Sequence, residues 1–273
     1  MRILVDIGNS RFKSAIEDET GIHPLETFAW KDVFLHDILE RVWLKPLAGR
    51  VPTSVHVSNV AGDRLLPNLN AWCCGEFGLQ PVAVASTASF EGLKNGYQEP
   101  TTFGIDRWAA MIGAHAEYEG AICVVDSGTA TTVDLIDASG QHLGGAILPG
   151  IYTMRRSLGK YTSALFAADG EISPFSDNTA GGIAGGTGYA SVGAIDRLVY
   201  EAEKIVSPLT TVVTGGESEI LKSMMRANVI RDPVLVLKGV SVMAGRLTAD
   251  EITKASCCQE TLKHTFKSAG SVG

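Results

Sequence analysis

The sequence has no run approaching the ~18–20 uninterrupted apolar residues of a membrane helix, and it has no excess of positive charge. Its 23 Lys and Arg against 30 Asp and Glu give a formal net charge of −7. That balance argues against broad binding to a phosphate backbone, and so against a nucleic-acid partner. Cysteines are few: Cys73, Cys74, Cys123, Cys257 and Cys258. An odd count, two adjacent pairs and no CxxC spacing fit neither a disulfide framework nor a zinc site. Reduced thiols in a cytoplasmic protein are the expectation. Residues 1–17 carry Asp6, Arg11, Lys13 and Glu17 without a long apolar core, so no secretory signal is expected. The histidines (His23, His36, His56, His115, His142 and His264) show no paired metal spacing. A GxxxxGK[ST] phosphate loop is missing as well.

What is present is a chain of 273 residues, 45% hydrophobic and 19% charged, suited to one large domain or two lobes with substantial cores. Apolar periodicity predicts a strand at Arg2–Asp6, a Gly8-Asn9-Ser10 turn and a second strand through Ile16. A helix over Val33–Leu47, a strand within 54–62, a helix over 64–78, a strand at 81–85 and a helix over Arg107–Tyr118 follow. The second half repeats the scheme. Strands are expected at 121–126, 131–137 and 142–150, helices at Ile151–Leu158 and Gly186–Ile205, and a strand at 210–216. A helix at Glu217–Ala227, a last strand at 233–239 and a helix at Val240–Leu247 complete it. The reading is α/β, with two similar lobes (1–118 and 119–250) facing a shared ligand cleft, and a tail at 251–273.

Each half opens on an aspartate that follows an apolar run and precedes glycine and small hydroxyl residues: "DIGNS" at 6–10 and "DSGTATT" at 126–132. Glycine turns expose backbone N–H groups that bind phosphate oxygens. An aspartate there repels phosphate, and its natural use is to hold a cation that neutralises it. Two such turns would grip a triphosphate from both sides, with Asn9, Ser10, Lys13 and Thr129 as further donors. "TGG" at 214–216, after a buried strand, lets an adenosine lie against the backbone. Gly-Asn and Ser-Gly turns are also ordinary hairpin connections, and one alone would be structural.

"YQEPTTFGIDRWAA" at 97–110 places Asp106 and Arg107 at a helix start. Such a pair is commonly a cap and a surface ion pair. In a phosphoryl-transfer site the carboxylate accepts a hydroxyl proton and the arginine fixes a carboxylate bidentately. Trp108 beside the pair fits a pocket wall or core packing. Arg155-Arg156, after the Pro149-Gly150 break, fits a phosphate neighbour or a solvated face.

Taken in order, "DIGNSRFK" (6–13), "YQEPTTFGIDR" (97–107), "DSGTATT" (126–132), "GGAILPG" (144–150) and "TGG" (214–216) resemble the type III pantothenate kinases, over roughly residues 1–247. That family belongs to the actin/Hsp70/sugar-kinase superfamily, whose lobes are duplicated ribonuclease-H-like folds, which implies why the acidic turn is doubled. The resemblance implies ATP- and magnesium-dependent phosphorylation of pantothenate to 4′-phosphopantothenate, the first step of coenzyme A synthesis. It implies a phosphate loop of Asp6, Ile7, Gly8, Asn9, Ser10, Arg11, Phe12 and Lys13, with Thr129 a further ATP contact. It makes Asp106 the proton acceptor, and Tyr97, Gly104, Ile105, Asp106 and Arg107 the pantothenate segment. Asp126 becomes the ligand of a monovalent cation, potassium or ammonium. Thr179, in "DNTAGGI", becomes a substrate contact that crosses a homodimer interface. A phosphohydrolase of the same superfamily and a non-catalytic transcription accessory factor are the alternatives. The Tyr97–Arg107 pattern disfavours the first, and the set Asp6, Asp106, Arg107 and Asp126 disfavours the second.

Overall fold

The computed structural model describes residues 1–31, 33–161 and 170–246. The expected tail, with Cys257 and Cys258, lies outside the described residues, as does the expected helix end at Leu247. The chain groups into two compact units. One consists of Met1–Ala85, Gly104–Ala109 and the described residues from Leu237 on; the other of Ser86–Phe103 and Ala110–Val236.

In the first unit, β1 (Arg2–Ile7) and β2 (Arg11–Asp18) form an antiparallel hairpin, and β3 (Gly21–Pro24) and the short β4 (Phe28–Ala29) both pair with β2. β5 (Val55–Asn59) and β6 (Val82–Ala83) extend the other side in parallel. The order is β3-β2-β1-β5-β6. β1 is central, and Ile3 to Ile7 are all buried because both faces of the strand are covered. Trp43 and Trp72 meet edge to face at 5.5 Å over the stacked pair Phe12–Phe28, so this core is built around aromatic rings. The expected helix over 33–47 forms with a defect. α1 (Leu35–Leu39) and α2 (Lys45–Leu47) are joined by a π turn, Glu40–Leu44, which keeps Leu39, Val42, Trp43 and Leu47 on the buried side. α3 (Leu66–Phe77) follows and ends on Gly78 in the left-handed conformation.

The second unit opens with a two-stranded ribbon, β7 (Ser89–Phe90) and β8 (Leu93–Lys94). Its sheet joins β9 (Ala121–Ser127), β10 (Ala130–Ile136), β11 (His142–Pro149), β12 (Leu209–Thr214) and β13 (Val229–Arg231) in the order β11-β10-β9-β12-β13. β9–β10 and β10–β11 are antiparallel, while β9–β12 and β12–β13 are parallel. Setting β4 aside, both sheets read third, second, first, fourth, fifth with the same directions. That is the ribonuclease-H-like order of actin-like ATPases, made twice. Here the core is aliphatic: Cys123, Val125, Val133, Ile195, Val199, Val213 and Leu221. Burial pushes the thiols of Cys73 and Cys123 each up to about 12, so neither is a nucleophile at neutral pH.

α4 (Ile105–Glu117), α5 (Ile151–Tyr161), α6 (Thr179–Ile205), α7 (Ser218–Met224) and α8 (Leu235–Ala244) complete the fold. Two expectations are corrected. Residues 233–239 are not a strand: from Leu235 they form the start of α8. The all-apolar run "VLVL" suits a buried helix as well as a buried strand. The deciding signals are Asp232, whose Oδ1 accepts the Val234 N–H at 3.0 Å, and Pro233 at the helix entrance. Gly239 then lets α8 meet α4, since a Cβ there would lie 1.8 Å from Ala109 O. α6 starts at Thr179, seven residues before the expected Gly186. Its cap is Asn178, whose Oδ1 accepts from Gly181 N at 2.9 Å. Glycine lowers helix propensity, but the glycines at the start of α6 serve close packing. Cβ atoms at Gly181 and Gly185 would fall 2.2 Å from Ser176 Oγ and 2.0 Å from Ser173 O.

Candidate active site

Asp6 is the penultimate residue of β1 and faces Lys13 across the hairpin and Ser58 on β5. Its carboxylate is buried (4% exposed), with Lys13 Nζ at 3.4 Å from Oδ2 and Ser58 Oγ at 3.4 Å from Oδ1. Lys13 thus sets a positive charge beside the buried Asp6 carboxylate. The connecting turn is held internally: Gly8 N donates to Arg11 O at 3.0 Å, and the Trp30 indole donates to Gly8 O at 2.8 Å. Ile7 and Phe12 are fully buried, so any contact they make with a ligand runs through backbone atoms. Asn9 and Arg11 are exposed at the tip, with Gly8 and Ser10 half-buried.

Asp126 has the equivalent place on β9, one residue from the strand end. Its register neighbours are Thr132 on β10 and Thr214 on β12. Gly215, with φ at +92°, leaves its Cβ position open. A methyl group there would lie 2.4 Å from Asp126 Oδ1 and 2.2 Å from Ser127 O. Gly150 is equally confined, since its Cβ would stand 1.9 Å from Gly128 O, and its N–H donates to Thr129 O at 3.1 Å. Thr153 Oγ1 donates to the same carbonyl at 2.6 Å. The glycine-bearing loops at Gly150 and Gly215 thus converge on the Asp126–Thr129 turn. A carboxylate among carbonyl and hydroxyl oxygens is a hard donor set, which suits an alkali or ammonium cation. Among the described residues no group of three or more His, Cys, Asp or Glu could hold a metal ion. A cation at Asp126 would therefore complete its shell with carbonyls, hydroxyls, water and phosphate.

Asp106 is the second residue of α4, and one of its oxygens accepts the Arg107 N–H at 2.8 Å, which sets the carboxylate's rotamer. Gly104 and Ile105 are half-buried, and a Cβ on Gly104 would come within 2.8 Å of Asp106 Oδ1. Arg107 and Trp108 are buried, the tryptophan completely. Tyr97 belongs to the other unit, where Phe103 meets it edge to face at 4.6 Å and His142 lies nearly parallel at 6.2 Å. His142 is itself held by Asp134, Nε2 to Oδ1 at 3.1 Å, with both side chains buried. Gly96 makes this possible: a Cβ would fall 2.3 Å from His142 O. Thr179 is exposed at the first position of α6. Arg155 is buried and donates to Thr187 Oγ1 at 3.2 Å, so it braces α5 against α6 and is no part of a solvated face.

Two groups at these sites escaped the sequence reading. The His142–Asp134 pair supports Tyr97 from 45 positions downstream, and no motif marks it. Glu217 carries the other, with its carboxylate on the start of α5. The doubled glycine before it was a visible signal, but the partners were not.

The family profile for type III pantothenate kinases matches residues 2–201. A type III pantothenate kinase from Azoarcus sp. (strain BH72) is 36% identical over 92% of this chain and 93% of its own. One from Nitrosococcus oceani is 32% identical over 89% of this chain and 94% of its own. Among solved structures, a Sinorhizobium meliloti protein named for 2-dehydro-3-deoxygalactonokinase superposes with a TM-score of 0.53 over 89% of this chain and 98% of that one, at 14% identity. That likeness is one of fold.

Proposed function

The chain belongs to the type III pantothenate kinase family, and from that premise we propose how its residues divide the reaction. The activity is ATP-dependent phosphorylation of pantothenate, giving 4′-phosphopantothenate. Asp106 accepts the proton of the pantothenate hydroxyl as that oxygen bonds to the γ-phosphorus, while the bond from the γ-phosphorus to the β,γ-bridging oxygen breaks and ADP leaves. What supports this most is its place in the first turn of α4, where the Arg107 N–H orients the carboxylate and Gly104 leaves room around it. Arg107 binds the pantothenate carboxylate as a planar fork, with Gly104 and Ile105 against the substrate. Tyr97, braced by Phe103 and His142, is a wall for the substrate's apolar portion.

The hairpin from Asp6 to Lys13 takes the phosphates. Lys13 supplies a point charge, and Asp6 would help hold a nucleotide-bound magnesium, which would supply charge neutralisation to the phosphates. Asp126 is the ligand of a monovalent cation, potassium or ammonium, and Thr129 contacts ATP. Thr179 reaches the substrate of a partner subunit in a homodimer.

Phosphorus NMR of the protein with ATP, magnesium and pantothenate, in potassium and again in sodium, tests the assignment. A phosphomonoester signal is expected only with pantothenate, and stronger in potassium. Asp106→Asn is expected to lose about 10³-fold in turnover, within the range for a general base, while still binding ATP. Turnover within about tenfold of the unsubstituted protein would remove Asp106 from this role.

A further inference from the structure

One carboxylate ties the Gly150 and Gly215 loops to the Asp126–Thr129 turn. Glu217 lies in the connection from β12 to α7. Its Oε2 accepts from Ser127 Oγ at 2.8 Å and from Ile151 N at 3.1 Å, and its Oε1 accepts from Tyr152 N at 3.1 Å. Its own N–H donates to Ser127 O at 3.1 Å. Ile151 and Tyr152 are the first two residues of α5, whose leading N–H groups have no partner within the helix. A negative charge is favoured there by those donors and by the helix dipole. Ser127 has one hydroxyl proton and gives it to Glu217. The contact of 3.0 Å between Ser127 Oγ and Thr131 Oγ1 must therefore be donated by Thr131. A directed chain runs from Thr131 through Ser127 to Glu217.

Ser127 lies between Asp126 and Thr129, the residues assigned above to the cation and to ATP. We propose that Glu217 is a positioning residue for nucleotide and cation binding: it does not touch the reactants, but holds the Asp126–Thr129 turn, the Gly150 break and α5 in one arrangement. The inference rests on the proposed role of that turn. It also means that the start of α5 is filled from within the chain and is not a phosphate site. The requirement is for an acceptor with both oxygens bare. A glutamine would bring an N–H toward a site lined by three donors. An aspartate keeps the charge but is one methylene shorter.

The test is steady-state kinetics of the full chain carrying Glu217→Gln, Glu217→Asp or Asp126→Asn, with each substrate varied in potassium and in sodium, and a urea midpoint for each variant. Glu217→Gln is expected to raise KM for ATP about tenfold and weaken the preference for potassium, with KM for pantothenate within about twofold. Glu217→Asp is expected to recover part of both effects, and it carries the comparison if the glutamine variant does not fold. Parallel shifts in both KM values, or a lowered urea midpoint with neither KM changed, would make Glu217 merely structural and overturn the proposal. Asp126→Asn is expected to move the same two quantities. If it moves neither, the role of the turn fails first and the inference falls with it. If it moves both while the Glu217 variants match the unsubstituted protein, the positioning role alone is wrong.

Discussion

The first strand of each sheet carries an aspartate at its penultimate position, and the two aspartates keep different company. Asp6 is buried, with a lysine opposite it on one neighbouring strand and a serine on the other. Asp126 is half-buried between two threonines and faces a glycine that leaves it space. The strand order, the directions and the place of the acid are the same; the fixed positive charge is present in one register and replaced by a hydroxyl in the other. A duplicated topology preserves where a charge is presented, because that depends on the backbone. What balances the charge depends on single side chains, and these are free to diverge. On the proposed reading, the first turn sets a lysine beside its acid and the second holds an exchangeable cation at its own.

Substituting the two acids separately is the strongest way to break this comparison. Asp6→Asn is expected to lower turnover about 10³-fold in either salt, as removal of a preorganised electrostatic group does. Asp126→Asn is expected to lose about tenfold and, with it, the difference between potassium and sodium. Equal salt responses from the two variants in a coupled kinase assay would abolish the distinction.

A smaller effect sharpens it at the turns. Gly150→Ala forces a Cβ to 1.9 Å from Gly128 O and should destabilise the protein by about 2–3 kcal/mol in urea unfolding. Gly8→Ala meets only Arg11 O at 3.4 Å and should cost under about 1 kcal/mol. Equal costs would mean that the second turn is no more tightly enclosed than the first.

The least effect concerns the first sheet alone. Burial depresses His56 to about 4, the nearby Arg2 adding to the shift. Folding therefore excludes a proton that the unfolded chain binds below its ordinary value near 6.5. This contribution to stability is complete above that value and is lost as pH falls from about 6.5 to about 4. Urea midpoints across that window should decline for the unsubstituted chain and flatten in His56→Gln.

Much of the fold was legible in the residues because hairpins announce themselves: alternation, an acid, a glycine turn and alternation again. The repeat of that scheme made two lobes readable. Residues 233–239 misled because an apolar run buried all round carries no period to decode, and the helix signal lay in Asp232 and Pro233 at its edge. The start of α6 misled for another reason. Glycine lowers helix propensity, but α6 is stabilised by what packs against it, which single-chain propensity does not contain. At the candidate site, acids beside glycines could be picked out from local context. Glu217 and His142 could not, because Glu217 meets Ser127 and the start of α5, and His142 meets Asp134 and Tyr97, only when the sheet forms.

The glycine seam between residues 170–176 and α6 has a consequence for how this chain drifts over generations. Cβ atoms at Gly170, Gly181, Gly185 and Gly188 would each come within 2.9 Å of an atom across the seam. Every missense change in a glycine codon adds at least a Cβ, so no replacement at these four places is sterically silent. Ordinary surface positions can wander through many residues, but this stretch can change only when its two sides change together. Variation should therefore arrive there in coupled pairs, and far more slowly than along the exposed face of the same helix.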